Sequence, residues 1–102
     1  MKRVINGKVF DTGTAELLGT FRFGSPGDIN YVNESLYRTK RGVFFLAGEG
    51  GANTKYSQQV DNNSWSGGRA IFPLTIEEAL EWVETHDVSV EIIEKYFQLE
   101  EA

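Results

Sequence analysis

The sequence predicts an α+β domain: an antiparallel sheet of about five or six strands over residues 3–73, followed by two C-terminal helices packed on it. Short apolar runs alternate with Gly, Pro and Asn turns through residue 73, whereas residues 75–99 place apolar side chains at helical spacing. A chain of 102 residues has the length of one domain. We therefore expect a single domain, 1–102, with a β-rich part (1–73) and a helical pair (75–99).

The first predicted feature is a hairpin. Asn6-Gly7 lies between the apolar pairs Val4-Ile5 and Val9-Phe10, and both turn residues tolerate the positive φ angles of a two-residue hairpin turn. A further strand is predicted over residues 17–23. Gly19 within it is a candidate β-bulge, because glycine inside a strand pattern often marks one.

Two more strands are predicted after the turn at Pro26-Gly27, where proline sets φ and glycine accepts a left-handed conformation. They cover residues 31–39 and 43–47 and flank the short loop 40–42. Residues 43–46 are almost continuously apolar, which is typical of a central strand covered on both faces.

Residues 48–68 are polar and rich in glycine, and this composition predicts loops with one short strand over residues 56–60. The last strand is predicted over residues 69–74. Pro73 marks its end, because proline lacks the N–H that a sheet ladder requires.

The C-terminal helices are predicted from capping and spacing. Thr75 and Glu78 form a capping-box pattern at the start of the first helix. The stripe that faces the sheet is then Ile76, Ala79, Leu80 and Val83. Trp82 lies off that stripe and is expected to cover its edge. A second helix is predicted over residues 90–99.

Charge is distributed unevenly along the chain. Residues 77–102 hold nine acids and one base, whereas residues 1–76 hold six acids and nine bases, so a net −8 segment follows a net +3 body. One interpretation is ordinary solubility of exposed helices. The other is an acidic face that contacts a basic partner. That face would consist of Glu77, Glu81, Glu84, Glu91 and Glu94, with Trp65 and Tyr56 as aromatic anchors.

The composition argues against an enzyme. The chain has no cysteine, and its only histidine, His86, lies in the predicted turn between the helices beside Asp87. We expect His86 to be exposed to solvent and to titrate near its ordinary value. Ser64 and Ser66 lack a nucleophile-elbow motif, and the glutamates resemble a solvated helix face rather than a metal site. No catalytic residue, metal or cofactor is therefore predicted.

Basic and aromatic residues offer an alternative function, the binding of a small nucleotide signal or of RNA. The glycine-rich loop 48–51 and the sheet would supply the surface. The candidate ligand-binding residues are Arg38, Lys40, Arg41, Lys55 and Arg69. The sequence pI of 4.8 disfavours direct binding of nucleic acid.

Eleven short segments carry a resemblance that covers nearly the whole chain. They are KVFDT (8–12), TAEL (14–17), SLYRTKRG (35–42), FL (45–46), GEGGA (48–52), KY (55–56), NSW (63–65), GG (67–68), PLT (73–75), EEA (77–79) and EW (81–82). Together they resemble a family of small, largely uncharacterised proteins of Gram-positive bacteria, their phages and mobile elements. That genetic setting includes anti-CRISPR proteins and other inhibitors of host defence. The resemblance implies a non-enzymatic inhibitor that binds a host protein, such as a CRISPR nuclease or another defence component.

The location expected from the sequence is the cytoplasm. No run of residues approaches the roughly 20 apolar residues of a membrane span. Residues 1–10 are too short and too mixed in character for a signal peptide. No membrane partner is expected, and the oligomeric state is left open.

Overall fold

The computed structural model describes residues 1–102 and has the predicted α+β architecture, with eight strands and two C-terminal helices. The strands are β1 (Lys2–Ile5), β2 (Lys8–Asp11), β3 (Glu16–Phe23), β4 (Val32–Arg38), β5 (Phe44–Gly50), β6 (Gln58–Asp61), β7 (Ser64–Ser66) and β8 (Gly68–Leu74). The helices are α1 (Ile76–Thr85) and α2 (Val90–Tyr96).

Four strands form the main sheet, in the antiparallel order β3-β4-β5-β8. Hairpins β1-β2 and β6-β7 form two separate two-stranded sheets. The main sheet therefore has four strands rather than the five or six that the sequence predicts. The first hairpin does not extend the sheet edge, because Phe10 of β2 is buried against Phe45 on the sheet face. Burial of that ring favours packing on the face over pairing at the edge.

The local turn predictions are confirmed. Asn6 and Gly7 adopt φ angles of 51° and 74° and join β1 to β2. The pairing of β3 with β4 shifts register between Leu17 and Gly19, which is the predicted bulge. A Cβ atom at Gly19 would lie 2.9 Å from Cγ2 of Val88, so the glycine also allows the segment after α1 to pack closely on the sheet.

Two boundaries in the glycine-rich region differ from the prediction. Strand β5 continues to Gly50, and residues 64–66 form strand β7 where a loop was expected. Gly48 lies within strand β5, and the Tyr56 side chain packs too closely against it for a larger residue. A Cβ atom there would lie 2.6 Å from the carbonyl oxygen of Asn33 and 2.7 Å from the Tyr56 hydroxyl. Glycine at this position reflects close packing rather than a turn.

The sheet buries apolar side chains on both faces, as the continuous apolar run in β5 predicts. Phe44 and Leu46 point toward the helices, whereas Phe45 and Ala47 point toward hairpin β1-β2. The helix-side cluster consists of Leu18, Leu36, Phe44, Leu46, Ala79, Trp82, Val83 and Phe97. The hairpin-side cluster consists of Phe10, Phe45, Ala47 and Ile71.

The capping box of α1 is confirmed: Thr75 Oγ1 accepts the backbone N–H of Glu78 at 3.1 Å, and the Glu78 carboxylate accepts that of Thr75 at 2.8 Å. The predicted buried stripe is wrong at two positions. Ile76 is 61% exposed in the first turn, whereas Trp82 is only 7% exposed. Trp82 turns inward because its indole N–H donates a hydrogen bond to the buried carboxylate of Glu34.

Helix α2 is shorter than predicted. It begins after Ser89, whose hydroxyl accepts the backbone N–H of Ile92, and it ends at Tyr96. Phe97 leaves the helix with extended backbone angles and stacks on Phe44 at a centroid distance of 4.9 Å. Neither helix has the length and apolar character needed to cross a membrane.

Candidate functional site

A carboxylate that sequence reasoning did not single out lies at the centre of the helix side of the sheet. Glu34 of β4 is only 3% exposed. Its two oxygens accept hydrogen bonds from the Tyr56 hydroxyl at 2.8 Å and the Trp82 indole N–H at 2.8 Å. The ammonium of Lys55 lies 2.7 Å from Oε1 and completes an ion pair. We call these four residues the Glu34 network.

The network favours an ionised Glu34 carboxylate and a protonated Tyr56 hydroxyl. Burial disfavours the ionised form of Glu34, but the hydrogen bonds from Lys55, Trp82 and Tyr56 outweigh burial and lower the pKa of this carboxyl below its ordinary value. Burial and the neighbouring carboxylate raise the pKa of the Tyr56 hydroxyl, which therefore remains a donor. The signal in the sequence was period two: Val32, Glu34 and Leu36 share one strand face, and Leu36 is fully buried.

His86 lies between two aromatic rings and is only partly exposed, which corrects its predicted place in open solvent. Its ring centroid is 4.1 Å from that of Phe21 and 4.6 Å from that of Trp82. Burial lowers the pKa of His86; Glu34 opposes this effect and Lys55 adds to it. His86 therefore does not titrate at its ordinary value. Both oxygens of Glu34 are already occupied by other donors, so His86 has no acid–base partner there.

This lowered pKa predicts a pH-dependent stability. At a pH below 6.5, the ordinary pKa of histidine, the unfolded chain takes up a proton that the folded chain binds less tightly. The free energy of unfolding is therefore expected to fall as the pH is lowered from neutral to below 6.5. Urea unfolding across this range measures the effect. The variant His86→Phe keeps a stacked ring but cannot titrate, so its stability should change less over the same interval. Equal slopes for the two proteins would contradict the assignment.

The predicted acidic face is exposed and carries uncompensated charge. Glu77, Glu81 and Glu84 occur at i, i+4 and i+7 on α1, opposite the buried Ala79 and Val83. On α2, Glu91 and Glu94 are also exposed. The chain contains two ion pairs, Lys55–Glu34 and Lys95–Glu16, and neither includes a residue of this face. Lys95, the only base of residues 77–102, thus pairs with Glu16 of strand β3.

The two aromatic anchors predicted with this face have different environments. Trp65 is 57% exposed on hairpin β6-β7, where Val60 is 61% exposed. Tyr56 is 2% exposed, so the prediction of a surface anchor is wrong there. Its hydroxyl is held by Glu34, and its ring lies 5.3 Å from that of Phe72. The structure places Trp65 on a hairpin rather than on the acidic helices.

The five basic residues named for the alternative function lie in different environments. Lys55 is paired with Glu34. The guanidinium of Arg38 lies over the rings of Phe44 and Tyr96, at 6.0 and 5.4 Å from their centroids. Arg69 pairs in register with Glu49, on the sheet face opposite the helices. Only Lys40 and Arg41 share a pocket, and they share it with Lys8, a residue that sequence reasoning missed.

The glycine-rich loop is a structural connection. The backbone N–H of Gly51 donates to the carbonyl of Tyr31 at 2.8 Å, and that of Asn53 donates to the carbonyl of Ile29 at 2.8 Å. A phosphate cradle requires such N–H groups to be free. This loop therefore does not supply the phosphate-binding surface that the alternative function assigns to it.

No family model, no curated protein and no solved structure matches the chain. The family resemblance therefore stays a prediction. No three His, Asp or Glu side chains are arranged so that they could hold a metal ion. The acidic helical face carries five exposed carboxylates that have no ion-pair partner in the chain.

Proposed function

We propose that this chain is a non-enzymatic binding protein that docks its acidic helical face on a basic surface of a host protein. The observation that carries the proposal is the set of exposed carboxylates on α1 and α2 that have no ion-pair partner in the chain. Carboxylates that only stabilised the fold would be expected near the bases of the same molecule. The two bases that do form ion pairs, Lys55 and Lys95, instead contact Glu34 and Glu16.

The identity of the partner is proposed from the family resemblance together with this charge. The resemblance implies a phage or mobile-element protein that acts in the cytoplasm against host defence, in the manner of an anti-CRISPR protein. A CRISPR nuclease holds nucleic acid in a positively charged channel. A row of exposed carboxylates is complementary to such a channel. Complementary charge of this kind accelerates association and orients the encounter.

Two further features support a binding role. Trp65 and Val60 on hairpin β6-β7 are exposed apolar side chains, and tryptophan is frequent among the residues that dominate interface energies. The residues that are not fully exposed and have perturbed pKa values, Glu34, Tyr56 and His86, are held by one another or by aromatic packing. This arrangement favours a structural role for them over acid–base chemistry.

A charge-neutralised variant tests the proposal. Replacing Glu81, Glu84 and Glu94 with glutamine leaves the capping residue Glu78 intact. Because exposed charge pairs contribute roughly 0.2–1 kcal/mol each, inhibition of a sensitive CRISPR nuclease in a DNA-cleavage assay is expected to weaken about tenfold. The loss should appear mainly in the association rate and should shrink at high salt.

The matched control replaces Asp28 with asparagine and Glu100 and Glu101 with glutamine, which changes the net charge equally at exposed positions outside the face and outside both ion pairs. This control should inhibit as well as the unmodified chain. Equal losses for both triple variants would show that only net charge matters and would reject a specific face. Absence of inhibition across a panel of guide-loaded nucleases would reject the anti-CRISPR assignment.

A further inference from the structure

A second charged feature lies away from the acidic helices, between hairpin β1-β2 and the loop that joins β4 to β5. It is a pocket of about 470 Å³, which we call the hairpin pocket. Its basic lining residues are Lys8, Lys40 and Arg41. None of these three takes part in an ion pair within the chain. The volume falls in the range of about 300–1,000 Å³ that is usual for small-molecule sites.

The pocket presents a net positive charge to a ligand. Its one acidic lining residue is Asp11, and Oδ1 of that carboxylate accepts the backbone N–H of Gly13 at 2.9 Å. The pocket lining thus contains three cations and one carboxylate, and one oxygen of that carboxylate already accepts a backbone hydrogen bond. In a chain of net charge −5, a local excess of bases that the fold does not neutralise points to an anionic ligand.

The hydroxyl of Thr39 and three apolar side chains indicate what else the ligand should contain. Thr39 Oγ1 accepts the backbone N–H of Val43 at 3.1 Å, so its hydroxyl hydrogen is free to donate to an anion. The apolar lining residues are Val9, Phe10 and Val43. An inorganic anion such as phosphate has no apolar part that could contact these three side chains. A ligand with phosphate groups at one end and a flat, weakly polar group at the other would use both parts.

We propose that the hairpin pocket binds a small phosphorylated nucleoside, with the phosphates at Lys8, Lys40 and Arg41 and the nucleoside against Val9 and Val43. Arginine and lysine are the residues proteins use most for phosphate, arginine in a bidentate manner and lysine as a point charge. The apolar wall offers no hydrogen-bonding side chain to read a base edge. Affinity therefore depends on the number of phosphates and little on the base. This site does not depend on the acidic face.

Isothermal titration with ATP, ADP, AMP and adenosine in buffer without divalent cations tests the proposal. ATP is expected to bind, each phosphate removed should weaken binding about three- to tenfold, and adenosine should not bind measurably. GTP and CTP should bind within about threefold of ATP. Inorganic tripolyphosphate should bind about tenfold more weakly than ATP, because it makes no contact with the apolar wall. Adenosine or tripolyphosphate binding as tightly as ATP would overturn the proposal, and so would the absence of ATP binding at about 1 mM.

Paired variants locate the site. The double variant Lys8→Met/Arg41→Met removes two exposed pocket cations and should weaken ATP binding at least about tenfold. Arg22→Met/Arg69→Met removes two exposed cations outside the pocket and should leave binding unchanged. An equal loss in both would overturn the assignment to this pocket. The glutamine triple variant of the acidic face should still bind ATP, so failure of this proposal is distinguishable from failure of the proposed function.

Discussion

Replacing Glu34 with leucine is expected to lower the free energy of unfolding by about 3–5 kcal/mol. The leucine would remove the acceptor for two buried donors, the Trp82 indole N–H and the Tyr56 hydroxyl, each held at 2.8 Å. Neither donor could reach water easily, because Trp82 is 7% and Tyr56 is 2% exposed. Urea unfolding monitored by tryptophan fluorescence measures the loss, and Trp65→Phe in the background leaves Trp82 as the only tryptophan.

A graded series separates the parts of the network. Glu34→Gln keeps an acceptor for the indole and should lose only about 1–2 kcal/mol. Lys55→Met should lose less than Glu34→Leu, because the Lys55 side chain is 46% exposed and its pair with Glu34 is partly screened by water. In a Tyr56→Phe background, Glu34→Leu should lose about 1–2 kcal/mol less, since one stranded donor is gone. A Glu34→Leu variant as stable as the unmodified chain would show that the network does not stabilise the fold.

The same series predicts an acid response. The folded-state pKa of Glu34 lies below its ordinary value of 4.5, so its contribution to stability is present above 4.5 and is lost as the pH falls through the folded-state pKa. The stability of Glu34→Gln should therefore fall less steeply below 4.5 than that of the unmodified chain. His86 is present in both proteins, so the difference between their slopes reports the contribution of Glu34 alone.

Replacing Phe45 with alanine is expected to lower the free energy of unfolding by about 3–5 kcal/mol. The Phe45 ring is fully buried in the hairpin-side cluster. It meets Phe10 edge-on at a centroid distance of 5.4 Å and stacks on Tyr37 at 5.3 Å. Removal leaves a cavity beneath hairpin β1-β2, and the midpoint of chemical or thermal unfolding reports the loss.

An exposed residue of the same hairpin provides the control. Val9→Ala should change stability by less than about 0.5 kcal/mol, because Val9 is 56% exposed. Phe10→Ala should approach the loss for Phe45→Ala, since the two rings share one contact. A Phe45→Ala loss below about 1 kcal/mol would show that the hairpin does not pack on the sheet in solution, and it would remove one wall of the hairpin pocket.

The sheet separates the two proposed binding surfaces. The acidic helices pack on one face through Ala79, Val83 and Phe97. The hairpin that lines the basic pocket packs on the other face through Phe10. The acidic helices and the basic hairpin pocket therefore lie on opposite faces of the sheet. A partner protein and a nucleotide could be bound without competing for the same residues.

Features that depend on neighbouring residues were predictable. The Asn6-Gly7 hairpin, the bulge at Gly19 and the capping box at Thr75 each follow from local backbone geometry and local hydrogen bonds. The exposed row on α1 also follows from helical spacing alone. Such features involve residues within a few positions of one another, so the sequence contains all the information they require.

Features that join distant residues were not predictable in this way. Glu34 and Trp82 are separated by 48 positions, and Glu34 and Tyr56 by 22. Trp82 was assigned to the edge of α1 because it lies off the apolar stripe, and Tyr56 was assigned to the surface as an aromatic anchor. Both are buried because Glu34 accepts the hydrogen bonds of their polar ends. Lys8 was missed as a ligand-binding candidate because hairpin β1-β2 folds onto the sheet face beside Lys40 and Arg41 rather than extending its edge.

The α+β class, the order of strands before helices, and the separation of a basic body from an acidic helical tail all follow from sequence patterns. These patterns are periodicity, turn chemistry and residue counts, which are local or additive properties. Only the folded structure reveals that the main sheet has four strands, that Glu34 is buried and charged, and which bases remain unpaired. Pairing and burial depend on which distant side chains meet, and local patterns do not specify that. The net charge of the sequence therefore indicates an exposed acidic face only after the ion pairs of the folded chain are known.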